Sequence, residues 1–147
     1  MELIAIADCT RLTQPPPRLD NDLVIKAVKF VSIPVHDQQA ALEFWTRACG
    51  FEVVTDQPMG EEMGGQRWIE LSIGTAETAV VLFTPPGHEG RIGQFMNVSL
   101  GCDDVRRTYE EMVKRGVEFE QPPRKEHWGT SAIFRDPDGN RFVLSSR

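Results

Sequence analysis

The sequence VSIPVHD at residues 31–37 decides the fold, because a similar sequence, VSLGCDD at residues 98–104, follows it 67 positions later. A second pair of matching segments, GFEV at residues 50–53 and GVEF at residues 116–119, is one residue out of step with the first. Around both pairs, the predicted elements come in the same order: a strand, a helix and then three strands. A shared order with shared spacing favours a duplicated unit.

In each unit an Asp precedes the predicted helix and a Gly follows it. Asp37 and Asp104 are N-cap candidates, because a short carboxylate side chain accepts hydrogen bonds from the first free amides of a helix. Gly50 and Gly116 stand where helices commonly end in the left-handed conformation. The first helix has one apolar stripe at helical spacing, and Trp45 on that stripe is predicted to lie in the core or in an interface. The residues of the stripe are Ala41, Leu42, Phe44, Trp45 and Ala48.

Two proline-containing stretches, residues 56–66 and residues 121–128, are predicted to be loops. The sequence DPDG at residues 136–139 predicts a tight turn before the last strand. The first 25 residues, interrupted by three successive prolines, are predicted to be an appendage whose function is not readable. We therefore expect one domain at residues 26–147, with module 1 at about 27–85 and module 2 at about 94–147.

Bulk properties restrict the partners. A formal net charge of −6 argues against a nucleic-acid or an anionic-membrane partner, since both reward a basic face. No apolar run approaches the ~20 residues that span a bilayer. Three cysteines, an odd number without CxxC spacing, fit free thiols better than a disulfide framework. These properties predict a soluble cytoplasmic protein that binds neither nucleic acid nor membrane.

Several motifs resemble those of the vicinal-oxygen-chelate superfamily, which includes glyoxalase I, bleomycin-resistance proteins and extradiol dioxygenases. The resemblance covers residues 27–147 and rests on IPVHD at 33–37, AxxFWxxxxGF at 41–51, DDV at 103–105, GV at 116–117 and DPDGN at 136–140. It implies an α+β fold of two βαβββ modules, paired half-barrels that enclose a cavity. It also implies a small-molecule ligand and a homodimer.

The resemblance also implies four metal-ligand positions, one on the first strand and one on the closing strand of each module. Carried onto this sequence, these positions are Phe30, Glu70, Asn97 and Val143. Phenylalanine and valine offer no lone pair, and a neutral amide is a weak ligand for zinc, nickel or iron. We therefore expect no cofactor; a divalent metal is possible but disfavoured.

Six residues are candidates for ligand binding, three of them aromatic. Trp68 lies two residues before Glu70 and should share its strand face, and Trp128 precedes a strand where the family often forms the rim of its pocket. Aromatic walls near a carboxylate suit an aromatic or cationic ligand, although ordinary core packing would also explain either tryptophan. The six residues are Phe30, Trp68, Glu70, Asn97, Trp128 and Val143.

Glu70 is the candidate catalytic base, with His127 as a second acid-base candidate in the loop before Trp128. The alternative for Glu70 is a solvated carboxylate or one paired with Arg67 or Arg141. Three functions remain open. The first is a binding protein with a mostly apolar, metal-free cavity; the second is a metal-independent lyase or isomerase that uses Glu70; the third is a divalent-metal-dependent glyoxalase-like lyase or dioxygenase with a degenerate site. Whether the protein is an enzyme is left open.

Overall fold

The structure, a computed structural model, describes residues 24–146. The predicted appendage, residues 1–25, therefore lies outside the described residues except for Val24 and Ile25, both of which are exposed. Within residues 24–146, no helix is long and apolar enough to cross a membrane. The elements are β1 (Phe30–Ile33), α1 (Gln38–Glu43) with a π-helical continuation (Phe44–Ala48), β2 (Glu52–Pro58), β3 (Arg67–Ser72), β4 (Ala79–Leu82), β5 (Phe95–Gly101), α2 (Val105–Lys114), β6 (Glu118–Glu126), β7 (Gly129–Arg135) and β8 (Arg141–Ser146).

The eight strands form two four-stranded sheets with the same order. Sheet A has the order β1-β4-β3-β2, and sheet B has the order β5-β8-β7-β6. In both, the first strand pairs parallel to the last strand, and the other pairs are antiparallel. The predicted α+β fold of two βαβββ modules is confirmed. The two sheets remain separate and do not close into one barrel within the chain.

The predicted helix boundaries are also confirmed. The Asp37 side chain accepts a hydrogen bond from the Ala40 amide at 3.0 Å. At the start of α2, the Asp104 side chain accepts one from the Arg107 amide at 3.2 Å. Gly50 follows the first helix with a φ of 79°, a left-handed conformation that glycine adopts without steric penalty.

Both predicted loops were partly wrong, because strands β2 and β6 extend into them. Strand β2 continues to Pro58, and a 3₁₀ turn at Glu61–Met63 follows it. Strand β6 continues through both of its prolines to Glu126, with register shifts against β7. Each of these strands lies at the edge of its sheet, where proline is tolerated because one side of the strand needs no ladder partner.

The two modules share one hydrophobic core on the helix side of both sheets. Trp45 is fully buried, as predicted, and its indole ring packs at 4.9 Å from the Phe142 ring and 6.0 Å from the Phe134 ring, measured between centroids. Trp45 belongs to module 1, and both phenylalanines belong to sheet B.

Because both sheets turn their buried sides to this core, their opposite sides point outward. These outward sides are called open face A and open face B.

A turn in module 2 also holds the modules together. The Asn140 side chain is fully buried, and its Nδ2 donates to the Pro34 carbonyl of module 1 at 2.7 Å. The same amide nitrogen donates to Asp136 at 2.9 Å. The His36 amide of module 1 donates to the Asp138 carboxylate at 2.8 Å. The predicted DPDG turn is therefore confirmed, and it fastens module 2 to the end of β1.

Candidate functional site

Open face A presents three aromatic rings that touch one another. The Phe30 and Trp68 rings meet edge to face with centroids 5.4 Å apart, and the Trp68 and Phe83 ring centroids are 5.9 Å apart. Phe30 is 37% exposed, whereas Phe83 is 7% exposed and forms the deeper end. Phe30, Trp68 and Phe83 together form the aromatic wall of open face A. It forms because alternate side chains of a strand share one face, so Trp68 points away from the buried Ile69.

Glu70 lies beside the aromatic wall on the same face. Its Oε2 is 3.5 Å from Nε1 of Trp68, a distance at the outer limit of hydrogen bonding. The side chain is half-buried. The two basic residues predicted as its alternative partners form ion pairs elsewhere, Arg67 with Asp56 at 3.1 Å and Arg141 with Glu120 at 3.6 Å. Among residues 24–146 no basic side chain forms an ion pair with Glu70, so its carboxylate is available to a ligand.

The structure corrects the assignment of Glu70 to a closing strand. The closing strand of module 1 is β4, whereas Glu70 lies on β3. In sheet A, Ser32 pairs with Val81, and in sheet B the equivalent residue Ser99 pairs with Val143. Val81 is therefore the counterpart of Val143. Glu70 sits one strand away, directly across from Val81 in the ladder. The prediction from sequence placed Glu70 on the closing strand because β3 and β4 are both short apolar strands. The order of such strands within a sheet cannot be read from their sequence pattern.

With this correction, the four positions that the resemblance implies for metal ligands become Phe30, Val81, Asn97 and Val143. None of these four side chains is anionic, and three of them have no donor atom. Within residues 24–146, no three His, Cys, Asp or Glu side chains lie close enough together to hold a metal ion. Zinc and iron sites need three or four imidazole, thiolate or carboxylate ligands. The donor set on the two open faces therefore does not fit a resident transition metal.

Two glutamine side chains hold the strands beneath the aromatic wall. Gln38 bridges β3 and β4, since its Nε2 donates to the carbonyls of Arg67 at 2.7 Å and Leu82 at 2.8 Å. Its Oε1 accepts from the Arg67 amide at 2.8 Å. Gln66 makes the same type of two-way contact with the backbone of Thr84, at 2.7 and 3.0 Å. These side-chain amides replace ladder hydrogen bonds where the strands separate, and they fix the strand ends that carry the wall.

Open face B is more polar than open face A. Asn97 and Ser99 are exposed on β5, and Val143 is half-buried on β8. The hydroxyl groups of Ser99 and Ser145 are 2.6 Å apart, so one donates to the other. Trp128, which is 54% exposed in the β6–β7 turn, lines a shallow cavity of about 570 Å³ together with Ser145. Open face B thus offers hydroxyl and amide groups with one exposed indole at its end.

The candidate residues therefore fall on two separate surfaces. Phe30, Trp68 and Glu70 share open face A, whereas Asn97 and Val143 share open face B, with Trp128 at its end. His127 is exposed in the same turn as Trp128 and belongs to the other module from Glu70, so one chain does not assemble an acid-base pair from them. Roles in binding or catalysis stay predictions for all of these residues.

Sequence reasoning missed Phe83 and Val81. Both are buried, yet neither belongs to the core that the helices cover. Their signal was present in the strand itself, because Val81 and Phe83 alternate with Val80 and Leu82. Val80 and Leu82 therefore face the helices, whereas Val81 and Phe83 face the other side of the sheet. An apolar residue on the side away from the helices indicates a second buried surface, here the one behind the aromatic wall.

Comparison with known proteins gives consistent matches over the same part of the chain. The family model described as the Glyoxalase/Bleomycin resistance protein/Dioxygenase superfamily matches residues 27–144. The uncharacterized protein YetH of Bacillus subtilis (strain 168) is 38% identical over 121 residues, which cover 82% of this chain and 98% of YetH. A crystal structure of a superfamily member from Sphaerobacter thermophilus DSM 20745 has a TM-score of 0.76 at 34% identity, covering 85% of this chain and all of that one. TnmS3, an antibiotic binding protein from Streptomyces sp. CB03234, has a TM-score of 0.71 at 32% identity, covering 84% of this chain and 98% of its own.

Proposed function

Because the chain belongs to the Glyoxalase/Bleomycin resistance protein/Dioxygenase superfamily, we propose that it binds a flat aromatic molecule against the aromatic wall, without a resident metal ion. The observation that carries this proposal is the partly exposed Phe30–Trp68 ring pair beside the Glu70 carboxylate, which forms no ion pair within residues 24–146. The similarity to TnmS3, an antibiotic binding protein, supports a binding role over a catalytic one. We also propose that the protein acts in the cytoplasm.

The aromatic wall favours a planar, unsaturated ligand. Aromatic rings prefer offset-stacked or edge-to-face contacts, each contributing about 0.5–1.5 kcal/mol beyond the area that they bury. Phe30 and Trp68 are already perpendicular, with an angle of 84° between their ring planes. A flat ligand that stacks on one ring therefore meets the edge of the other. This arrangement discriminates flat ring systems from aliphatic ligands of the same volume.

Glu70 favours a positive charge or a hydrogen-bond donor on that ligand. A carboxylate has acceptor sites only, and the Trp68 indole supplies no more than one long donor contact to it. A cationic group near both the Glu70 carboxylate and the Trp68 ring would gain an ion pair and a cation–π contact. An anionic ligand would be repelled at the same place. We therefore expect cationic aromatic ligands to bind more tightly than anionic ones of the same shape.

A second copy of the chain is proposed to complete the binding cavity. Within one chain the open faces point away from the shared core, so each leaves a flat surface exposed to solvent. In a dimer with twofold symmetry, open face A of one protomer can cover open face B of its partner, and the symmetry then produces two identical cavities. Each cavity would combine the aromatic wall with the Ser99, Ser145 and Asn97 side chains. Concave, mostly enclosed sites with a few polar groups are typical of small-molecule binding.

The test uses two acridines of matched shape, cationic 9-aminoacridine and anionic acridine-9-carboxylate, titrated by isothermal calorimetry. Wild-type protein should bind the cation in preference to the anion. Trp68→Ala should weaken binding of the cation by about tenfold or more, because buried aromatic contacts commonly exceed 1.4 kcal/mol. Glu70→Gln should reduce the preference for the cation and leave stacking intact. Binding that is indifferent to Trp68→Ala, or a preference for the anion, would contradict the proposal.

Val113→Ala serves as the matched control, since Val113 is 45% exposed on α2, away from both open faces. It should leave the affinity for both acridines unchanged. Circular dichroism of each variant establishes that loss of binding is not loss of fold.

A further inference from the structure

A cavity of about 700 Å³ lies on the helix side of the molecule. At one end it shares Gly101, Cys102 and Asp103 with the shallow cavity at the end of open face B. Module 1 contributes Ala48 at the end of its first helix, Cys49 directly after it, and Phe51 directly before β2. Module 2 contributes α2 and strands β5, β7 and β8. The cavity therefore lies at the junction of the two modules. Its volume falls within the range of small-molecule sites, about 300–1,000 Å³.

The floor of this cavity is the hydrophobic core itself. Phe134, Leu144 and Met112 line it and are 1%, 4% and 6% exposed. Burial raises the pKa of the Cys49 thiol to about 12, so this part of the wall is uncharged at neutral pH. Phe51, Ile73 and Leu100 also line the cavity and are only half-buried, so they leave apolar surface in contact with water. A ligand that covers this surface removes it from water, which favours binding.

The rim of the cavity is a polar stripe of α2. Asp104, Arg107, Glu111 and Arg115 follow one another at helical spacing and all line the cavity. Asp104 caps the helix, and Glu111 forms an ion pair with Arg115 at 3.2 Å. With Asp103, the rim has three carboxylates and two guanidinium groups. This balance, with a slight excess of negative charge, offers hydrogen bonds to a neutral polar edge and does not favour an anion.

We propose that the junction cavity is a second small-molecule site, selective for a neutral aromatic molecule with an apolar body and one hydrogen-bonding edge. The apolar body would lie against Phe51, Ile73 and Leu100, next to the Met112 side chain that lines the same cavity. The polar edge would face the α2 rim. This site is separate from the aromatic wall, because none of Phe30, Trp68 and Phe83 lines it.

Methionine methyl NMR reports on this site directly, because Met112 lines the cavity. Met59 and Met63, in the connection between β2 and β3, and Met96, on β5, do not line it. The full-length protein is labelled at its methionine methyl carbons and titrated with neutral 2-naphthol and, separately, with anionic 2-naphthoate. We expect 2-naphthol to shift the Met112 signal saturably. The 2-naphthoate ion should shift it much less at equal concentration. Met112→Leu assigns the signal.

Thr108→Trp places a large side chain in the cavity, since Thr108 lines it. This variant should lose the saturable Met112 shift with 2-naphthol. Val113→Trp adds the same bulk on the exposed side of α2 and should retain the shift. If Thr108→Trp does not fold, Thr108→Met, a smaller addition, should weaken the response partially. Trp68→Ala should leave the response unchanged, which separates this site from the aromatic wall.

Four outcomes would overturn the proposal. The first is a Met112 signal that does not respond to 2-naphthol, and the second is an equal response to 2-naphthoate. The third is a Met112 signal that changes with protein concentration alone, because a second copy of the chain would then cover the cavity. A retained response in Thr108→Trp would likewise place the ligand elsewhere.

Discussion

The buried carboxyl group of Asp136 should make stability fall as the pH rises toward neutrality. Asp136 is 6% exposed, and its side chain accepts hydrogen bonds from the Asp138 and Asn140 amides and from Asn140 Nδ2. Burial, assisted by the neighbouring Asp138 carboxylate, raises the Asp136 pKa from 3.8 to about 6, although the hydrogen bonds oppose the rise. The folded state therefore binds this proton more tightly than the unfolded state does.

The sign and size follow from linkage. An acid whose pKa is higher in the folded state stabilises the fold when protonated, and this contribution is lost as the pH rises from about 4 to about 7. The difference between pKa values of 3.8 and about 6 corresponds to about 3 kcal/mol, at about 1.4 kcal/mol for each factor of ten in proton affinity. The free energy of unfolding of the wild type should therefore fall over this pH range, relative to that of a variant that cannot ionise at position 136.

Urea unfolding of wild type and Asp136→Asn at several pH values measures this difference. At any single pH, the difference also contains the cost of fitting an amide against Asn140, but that cost does not vary with pH. Relative to Asp136→Asn, wild type should lose up to about 3 kcal/mol of unfolding free energy between pH 4 and pH 7. A constant difference, or a wild type that gains relative stability toward pH 7, would refute the reasoning.

Two further predictions concern the packing that places the open faces outward. Trp45→Ala should lower the free energy of unfolding by about 3–5 kcal/mol, because it removes the buried side chain that joins the two modules. The control Trp128→Ala, measured by the same urea titration, should change this free energy by less than about 0.5 kcal/mol. Equal losses in the two variants would contradict the shared core. Thr84→Val should cost about 1–3 kcal/mol, since Thr84 Oγ1 accepts from the Val35 amide at 2.8 Å and donates to the Val35 carbonyl at 3.0 Å. Thr75→Val, in an exposed turn, is the control, and thermal unfolding that ranks the two variants equally would argue against this buried bridge.

Much of the fold was predictable because the chain repeats itself. The match between residues 31–37 and residues 98–104 placed equivalent strands, and the N-capping Asp37 and Asp104 placed both helix starts. The edge strands were harder to predict, since proline normally argues against a strand. Only their position at the edge, which is a property of the whole sheet, explains why β6 continues through two prolines.

The candidate site was less predictable than the fold. A period of two residues correctly placed Trp68 and Glu70 on one face, because that inference needs only one strand. The equivalence of Val81 with Val143 needed the strand order, which a sequence of short apolar strands does not contain. The junction cavity was not foreseen either, since it depends on how the helix of one module packs against the sheet of the other.

Native mass spectrometry of freshly purified protein incubated with 9-aminoacridine tests the central claim most directly. Two copies of the chain should appear together with two acridine molecules and with no bound transition-metal ion. A monomer that binds the acridine at full occupancy, or a zinc, nickel or iron ion retained in one-to-one ratio with the chain, would contradict the account.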